Sequence, residues 1–334
     1  VHNLTTVQRR VLGPTFYPVL EPAVGFGSAF EGWSASEEEV VYHVLVPVTP
    51  PLGHVFYLEA DTDQQRPGRN FHVLVNLECC CWREQQGEYQ LCFLHHRDVI
   101  RRLTGQPNLL DTLCTGSCLD VKKTVHWFGA LVTQYWRCLP QPRSWDLELL
   151  PSICSCNLRL TNSQESFQVR LLFGLRRHSS DIFISSRSRG ASNPNTMWPE
   201  TYTVAETKFF KHVARQAPQD SSHLKCLQLL TGALVRKVFP THAIKTIIMH
   251  QLNTLPASQW HRKYFLLQLS DALEQLRLSL EGKHLEHFIV GNQRLPQEIR
   301  LPPDIQSATP LNLFHGLAQD PDAHSRLMEA YLDL

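Results

Sequence analysis

The chain has 334 residues, of which 43% are hydrophobic and 19% charged, a composition that excludes an intrinsically disordered protein. Its 32 basic and 31 acidic side chains nearly cancel, which argues against a protein that grips nucleic acid through many phosphates. The arginine-rich stretch 175–190 is interpreted instead as a solvated strand end and loop. No apolar run approaches the roughly 20 residues that a membrane-spanning helix needs. We therefore expect a folded chain without a nucleic-acid partner.

The first half of the chain has the pattern of β-strands. Apolar residues alternate with polar ones or run continuously, and turns containing proline or glycine separate the runs. The first four strands are expected to form an antiparallel meander, followed by an amphipathic helix and three further strands. The predicted strands are 40–48, 53–60, 70–82, 89–96, 156–162, 166–176 and 181–187, and the predicted helix is 120–139.

The strand at 166–176 has two chemically different faces. Its odd-numbered apolar residues, from Phe167 to Phe173, share one face because side chains alternate along a strand. Gln168 and Arg170 point the other way. This alternation predicts a strand with one face in the core and one polar face.

The second half of the chain has helical periodicity. A polar linker at 185–196 precedes it, and prolines set the breaks between its segments. The predicted architecture is α+β, with a mixed-sheet lobe at 1–196 and a helical lobe at 197–334. The predicted helices are 203–216, 222–237, 241–254, 258–281 and 322–332.

The ten cysteines do not form the paired C-x-x-C arrangement of a zinc site, so neither a metal nor a cofactor is predicted. Cys79, Cys80 and Cys81 are consecutive, and alternation along an extended chain puts Cys80 opposite its two neighbours. Buried free thiols are the favoured interpretation. The alternatives are a disulfide, Cys114–Cys118 or Cys154–Cys156, and a metal site that joins the cysteine triplet to His95 and His96.

Two features concern the start of the chain. Asn3 begins the tripeptide NLT, an acceptor sequence for N-glycosylation. The first residue is Val1 rather than methionine, so we expect a fragment of a longer protein.

A glycine-rich turn, GFGSAF at 25–30, precedes a strand. It is not a kinase loop, because Phe30 replaces the third glycine and the next strand has no lysine. The chain has no G-x-x-x-x-G-K-[ST] loop, and no helix follows closely enough for a dinucleotide fingerprint. The turn fits the nucleotidyltransferase pattern better, in which Gly27 and Ser28 approach a triphosphate and carboxylates on nearby strands hold two divalent ions.

Several stretches resemble the Mab-21 family and, within it, the inositol-trisphosphate-receptor-interacting-protein-like branch. The resemblance implies a bilobal nucleotidyltransferase-like fold, akin to the cyclic-dinucleotide synthase that senses DNA, and a membrane segment upstream of this chain. The stretches are GSAFEGW (27–33), LDVKKTVHWF (119–128), TVAETKFFKHVARQAP (203–218), HLKCLQLL (223–230), HAIKTIIMHQL (242–252), QWHRKYFLLQL (259–269), LEHFIVGN (285–292) and NLFHGLAQDPDAH (312–324).

The family's metal-binding carboxylates are missing at the matching positions. When the family pattern is aligned on VYHVLV, its first two carboxylate positions fall on Val41 and His43. Shifting the alignment by two residues recovers only one acid, Glu39. The third falls at or near Gln168, on a strand without acidic residues. Since Mg²⁺ prefers hard oxygen ligands, we expect a pseudoenzyme. The zinc thumb of the DNA-sensing relative is also absent, and its only local hint, at residues 223 and 226, is interpreted as a core and rim position of an amphipathic helix.

An inactive fold of this kind is expected to act through its surface, as a protein-interaction domain of a membrane-anchored protein. The resemblance implies a membrane receptor as partner: the inositol-trisphosphate receptor, or a surface receptor on another cell if the domain lies outside. A single-pass protein of the plasma membrane is favoured, with the side of the membrane open. The alternative is a sensor that binds a nucleotide or small molecule without turnover, through Lys122, Lys123, Arg170 and Arg176.

Overall fold

The structure is a computed structural model. It describes residues 2–3, 5–6, 16–34, 40–61, 69–81, 92–104 (without the side chains of 101–104), 108–137, 139, 144–186, 195–234 and 239–333. These residues form two compact units that are not continuous along the chain. The first takes its members from 1–25, 41–177 and 183–201, and the second from 26–40, 178–182 and 202–334. The predicted division into lobes 1–196 and 197–334 stays a prediction.

The described part of the chain contains twelve strands in one mixed sheet. They are β1 (Val19–Leu20), β2 (Val24–Phe26), β3 (Val41–Thr49), β4 (His54–Ala60), β5 (Asn70–Leu77), β6 (Cys114–Thr115), β7 (Cys118–Leu119), β8 (Asp146–Leu150), β9 (Cys156–Thr161), β10 (Ser166–Arg176), β11 (Phe183–Ser185) and β12 (Met197–Thr201).

The strand order corrects the predicted meander. The main path is β1-β3-β10-β11-β12-β5-β7-β6, with β4 beside β5 and β9 between β8 and β10. β4 and β5 pair antiparallel as predicted, but β3 pairs in parallel with β10 rather than with β4. Local periodicity identifies strands but does not encode which distant strand lies beside which.

The predicted helix at 120–139 is present as α4 (Val121–Trp136). It covers one face of the sheet, where the ring of Phe128 lies 4.8 Å from that of Phe173 on β10. Val169 and Leu171 of β10 are buried in the same core, whereas Arg170 between them is exposed. The predicted alternation is therefore confirmed as far as Leu171, whereas both faces of the strand are buried from there to Leu175.

Two predicted elements differ in type. The strand predicted at 89–96 is wrong over its described part, because Phe93 begins the helix α2 (Phe93–Thr104). Two short helices, α1 (Ser28–Glu31) and α3 (Leu109–Thr112), come before and after α2 along the chain. The helical half begins later than predicted, since Met197–Thr201 forms the strand β12. There, the Trp198 side chain is fully buried and donates a hydrogen bond to the carbonyl of Leu119 at 2.9 Å.

The second unit packs helices around one apolar core. Its long helices match the predicted positions, except that two 3₁₀ turns, Ala257–Trp260 and Arg262–Tyr264, precede α8. The helices are α5 (Thr203–Gln216), α6 (His223–Leu234), α7 (Thr241–Thr254), α8 (Phe265–Glu281), α9 (Pro303–Gln306), α10 (His315–Gln319) and α11 (Pro321–Leu332). His223 and Cys226 are both buried in α6, so the predicted core role is confirmed and the predicted rim position is wrong. Burial lowers the pKa of His223 to about 4. None of the helices among the described residues is long and apolar enough to cross a membrane.

The parallel contact between β3 and β10 generates a prediction at Gly174. A methyl group there would lie 2.8 Å from the Cδ1 atom of Leu45, whose side chain is buried. We predict that Gly174→Ala lowers the free energy of unfolding by about 1–3 kcal/mol, measured by urea denaturation, because the core is overpacked.

Gly129 in α4 is the matched control. The nearest atom to a methyl group there is Leu149 Cδ1, at 4.0 Å. Gly129→Ala should raise the unfolding free energy by up to about 1 kcal/mol, since alanine favours a helix over glycine. Equal effects of the two substitutions would contradict the proposed overpacking.

Candidate functional site

The Gly27–Ser28 turn has a backbone that requires glycine. Gly27 has φ 79° and ψ −174°, a region that residues with a side chain essentially do not occupy. Its carbonyl accepts hydrogen bonds from the N–H groups of Phe30 and Glu31, which starts α1. The glycine of this motif is therefore explained by the shape of the turn, with or without a triphosphate.

A buried ion cluster within the second unit holds the helix that follows this turn. The Lys245 ammonium on α7 lies 2.9 Å from Glu31 Oε1 on α1 and 2.7 Å from Glu206 Oε2 on α5. Glu31 also accepts hydrogen bonds from the Trp33 indole at 2.7 Å and the Thr207 hydroxyl at 2.8 Å. Both oxygens of the Glu31 carboxylate are thus occupied by protein donors.

The charge of this cluster is stabilised by its own members. Burial alone would lower the pKa of Lys245, but the carboxylates of Glu206 and Glu31 outweigh it and raise the pKa. The ammonium also lies 5.4 Å from the centre of the Phe210 ring. Lys245 therefore stays protonated, and Glu31 serves the fold rather than a metal ion. Sequence reasoning missed this cluster, although a lysine inside the apolar run AIKTIIM is a signal for it.

In the first unit, β3 and β10 bring the predicted metal positions into register. Val41 is the direct cross-strand partner of Gln168, and His43 is that of Arg170. Because neighbouring residues in register point to the same face, these four side chains share the face opposite α4. The three carboxylates of the nucleotidyltransferase pattern need two neighbouring strands arranged in this way.

The side chains at these positions do not provide that triad. Val41, His43 and Gln168 carry no carboxylate, and Glu39 lies outside the described residues. Arg170 is exposed on the same face, so the strand presents a positive charge there. That Arg170 compensates for a missing metal ion stays a prediction.

The remaining predicted ligand contacts have local structural roles or none. The Lys123 ammonium donates to the carbonyl of Cys114 at 2.6 Å, which ties α4 to β6, whereas Lys122 is exposed. The Arg176 guanidinium lies over the ring of Phe183, 4.7 Å from its centre. That Lys122, Lys123, Arg170 and Arg176 contact a ligand stays a prediction.

A separate pocket of about 320 Å³ lies within the second unit. Phe209, Val213 and Leu252 provide apolar walls, and His212 and Arg294 provide polar ones. None of the predicted ligand contacts lines it. It suits a small, partly apolar molecule.

One group of potential metal ligands is present among the described residues. The ligand atoms of Cys79, Cys81, Cys92 and His95 all lie within 4.8 Å of one another. The alternative metal site in the sequence analysis included Cys79, Cys81 and His95, but the sequence placed Cys92 in a predicted strand. Burial opposes ionisation of Cys92, yet hydrogen bonds from the N–H groups of residues 80, 95 and 94 lower its pKa to about 6.

The other cysteines mostly fit the favoured interpretation of buried thiols. All nine described cysteines are free, so neither predicted local disulfide is formed in this structure. Burial raises the pKa of Cys114 and of Cys156 to about 12, so both stay protonated. Near the start of the chain, Asn3 is exposed, which leaves its predicted glycosylation sterically open.

Curated proteins of one kind align along nearly the whole chain. The chain is 36% identical over 330 residues to inositol 1,4,5-trisphosphate receptor-interacting protein-like 1 of Mus musculus, an alignment that covers 95% of the chain. The protein of the same name from Rattus norvegicus is 35% identical over 330 residues. The chain is therefore similar to these proteins along nearly all of its own length. The predicted resemblance to the receptor-interacting-protein-like branch is confirmed.

A more distant relative extends the same family. The inositol 1,4,5-trisphosphate receptor-interacting protein of Homo sapiens is 25% identical over 339 residues, or 94% of the chain. The chain spans 60% of the length of the mouse relative and 62% of the human one. No family model matches it.

The buried ion cluster makes Lys245 a test of the second unit. We predict that Lys245→Met lowers the free energy of unfolding by about 3–5 kcal/mol, because Glu31 and Glu206 lose the cation that they share. Chemical denaturation followed by circular dichroism measures the loss. Lys211→Met, at an exposed position of α5, should change stability by less than about 0.5 kcal/mol. Similar losses in both variants would refute the role of the cluster.

Proposed function

We propose that this chain is a catalytically inactive domain with a nucleotidyltransferase-like fold, which acts by binding a membrane receptor and modulating its signalling. The register of β3 against β10 carries the proposal. It pairs Val41 with Gln168 and His43 with Arg170, so the neighbouring strands that would hold two metal ions are in place without the carboxylates.

The chemistry of phosphoryl transfer requires those carboxylates. Two divalent ions stabilise the attacking and leaving oxygens, and Mg²⁺ is held by oxygen ligands. A valine, a histidine and a glutamine amide provide at most a weak site for it, and the exposed guanidinium of Arg170 adds repulsion. The sheet therefore supports the loss of catalysis.

The names of the relatives support the choice of partner. The mouse and human relatives are named for interaction with the inositol 1,4,5-trisphosphate receptor. We propose this receptor as the first partner, bound by a protein that a segment outside this chain anchors in a membrane, with the plasma membrane favoured.

Two observations favour second candidates. Exposed Asn3 in the sequence NLT favours a domain outside the cell, whose partner is a surface receptor on another cell. The pocket of the second unit, lined by His212 and Arg294, favours a sensor that binds a small molecule without turnover.

Loss of catalysis predicts that the purified chain does not turn over nucleotides. With ATP or GTP and either Mg²⁺ or Mn²⁺, release of pyrophosphate should equal the protein-free blank. Release that rises with protein concentration and falls in a Gln168→Ala variant would overturn the proposal. Saturable binding of a nucleotide without release would favour the sensor instead.

The choice of partner is tested with the full-length protein in mammalian cells. We predict that it coprecipitates the inositol-trisphosphate receptor and that glycosidase treatment leaves its electrophoretic mobility unchanged. Asn3→Gln is the matched control for a glycan at this site. A mobility shift that Asn3→Gln abolishes, together with no coprecipitated receptor, would replace this partner by a surface receptor on another cell.

A further inference from the structure

The end of β5 places two cysteines on the same side of the chain. Cys80 is 5% exposed and points into the first unit, whereas Cys79 is exposed and Cys81 partly exposed. The sulfur of Cys79 lies 3.8 Å from Nδ1 of His95, and that of Cys81 lies 3.0 Å from the same atom. The alternation expected from the sequence thus directs two thiols toward one imidazole.

The start of α2 brings the other two ligands. Cys92 directly precedes the first residue of α2, and His95 lies in its first turn. The backbone N–H of Cys80 donates to the Cys92 sulfur at 3.4 Å. This bond fixes the Cys92 sulfur beside the segment that carries Cys79 and Cys81.

The distances are close to those of a tetrahedral centre. With metal–sulfur distances near 2.3 Å, the sulfur atoms of a tetrahedral zinc site lie about 3.8 Å apart. All four ligand atoms of the cluster lie within 4.8 Å of one another, so movements of about an ångström complete the site.

We propose that Cys79, Cys81, Cys92 and His95 bind one structural zinc ion. Three thiolates and an imidazole are the soft ligand set that selects zinc over magnesium or calcium. Four protein ligands close the coordination sphere, which is the arrangement of a structural site rather than a catalytic one. The ion would join the end of β5 to the start of α2, independently of the proposed receptor binding.

The proposal is tested on the full chain, purified without a metal-affinity tag from zinc-supplemented cells. Mass spectrometry of the metal content should find about one zinc per chain. Cobalt substitution should give the absorption of a tetrahedral thiolate site. Removal of the metal by a chelator should lower the melting temperature, because metal binding is coupled to folding.

Variants distinguish this site from other cysteines. Cys79→Ser and His95→Asn change exposed residues, so the fold is expected to survive while the zinc content falls to near none. Cys154→Ser removes a partly exposed cysteine elsewhere and should keep the zinc. Zinc retained in both ligand variants, a zinc-free chain with all thiols reduced, or a disulfide among Cys79, Cys81 and Cys92 in non-reducing peptide maps would each overturn the proposal.

Discussion

The buried ammonium of Lys245 is the constraint on which the second unit depends. A lone cation on a buried, apolar helix would be strongly disfavoured. Helix α7 can therefore pack only where two carboxylates contact the Lys245 ammonium. Glu206 comes from α5 and Glu31 from α1, which joins three segments that are far apart in sequence. The short helix after Gly27 is therefore positioned by the electrostatics of the interior.

The first unit contains an equivalent interaction. The Glu200 side chain on β12 is fully buried and lies 2.5 Å from Arg177, at the end of β10. The Arg177 guanidinium also lies over the ring of Phe71 on β5, 5.2 Å from its centre. One charged pair thus connects three strands of the sheet. In both units the buried charges fix which elements are neighbours, whereas apolar contacts fill the remaining space.

The sequence predicted those features that depend on local periodicity. The core face of β10 and the long helices were identified correctly, because burial on one side produces a period of two or 3.6 residues. Pairing of β3 with β10, and of Lys245 with Glu31, joins residues that no local pattern links. Cys92 was missed for a similar reason: the apolar residues around it resemble a strand, and only the backbone shows that a helix begins at Phe93.

The turn at Gly27 has a structural role that does not depend on any chemistry. The backbone at Gly27 needs glycine for its own conformation, and Glu31 is needed to neutralise Lys245. Both requirements remain whether or not a nucleotide binds, so the presence of the Gly-Ser turn carries no information about catalysis. Positions 41, 43 and 168 bear on it directly, because two metal ions would need carboxylates there. The side chains found there, rather than the turn, are therefore the basis of the proposed loss of catalysis.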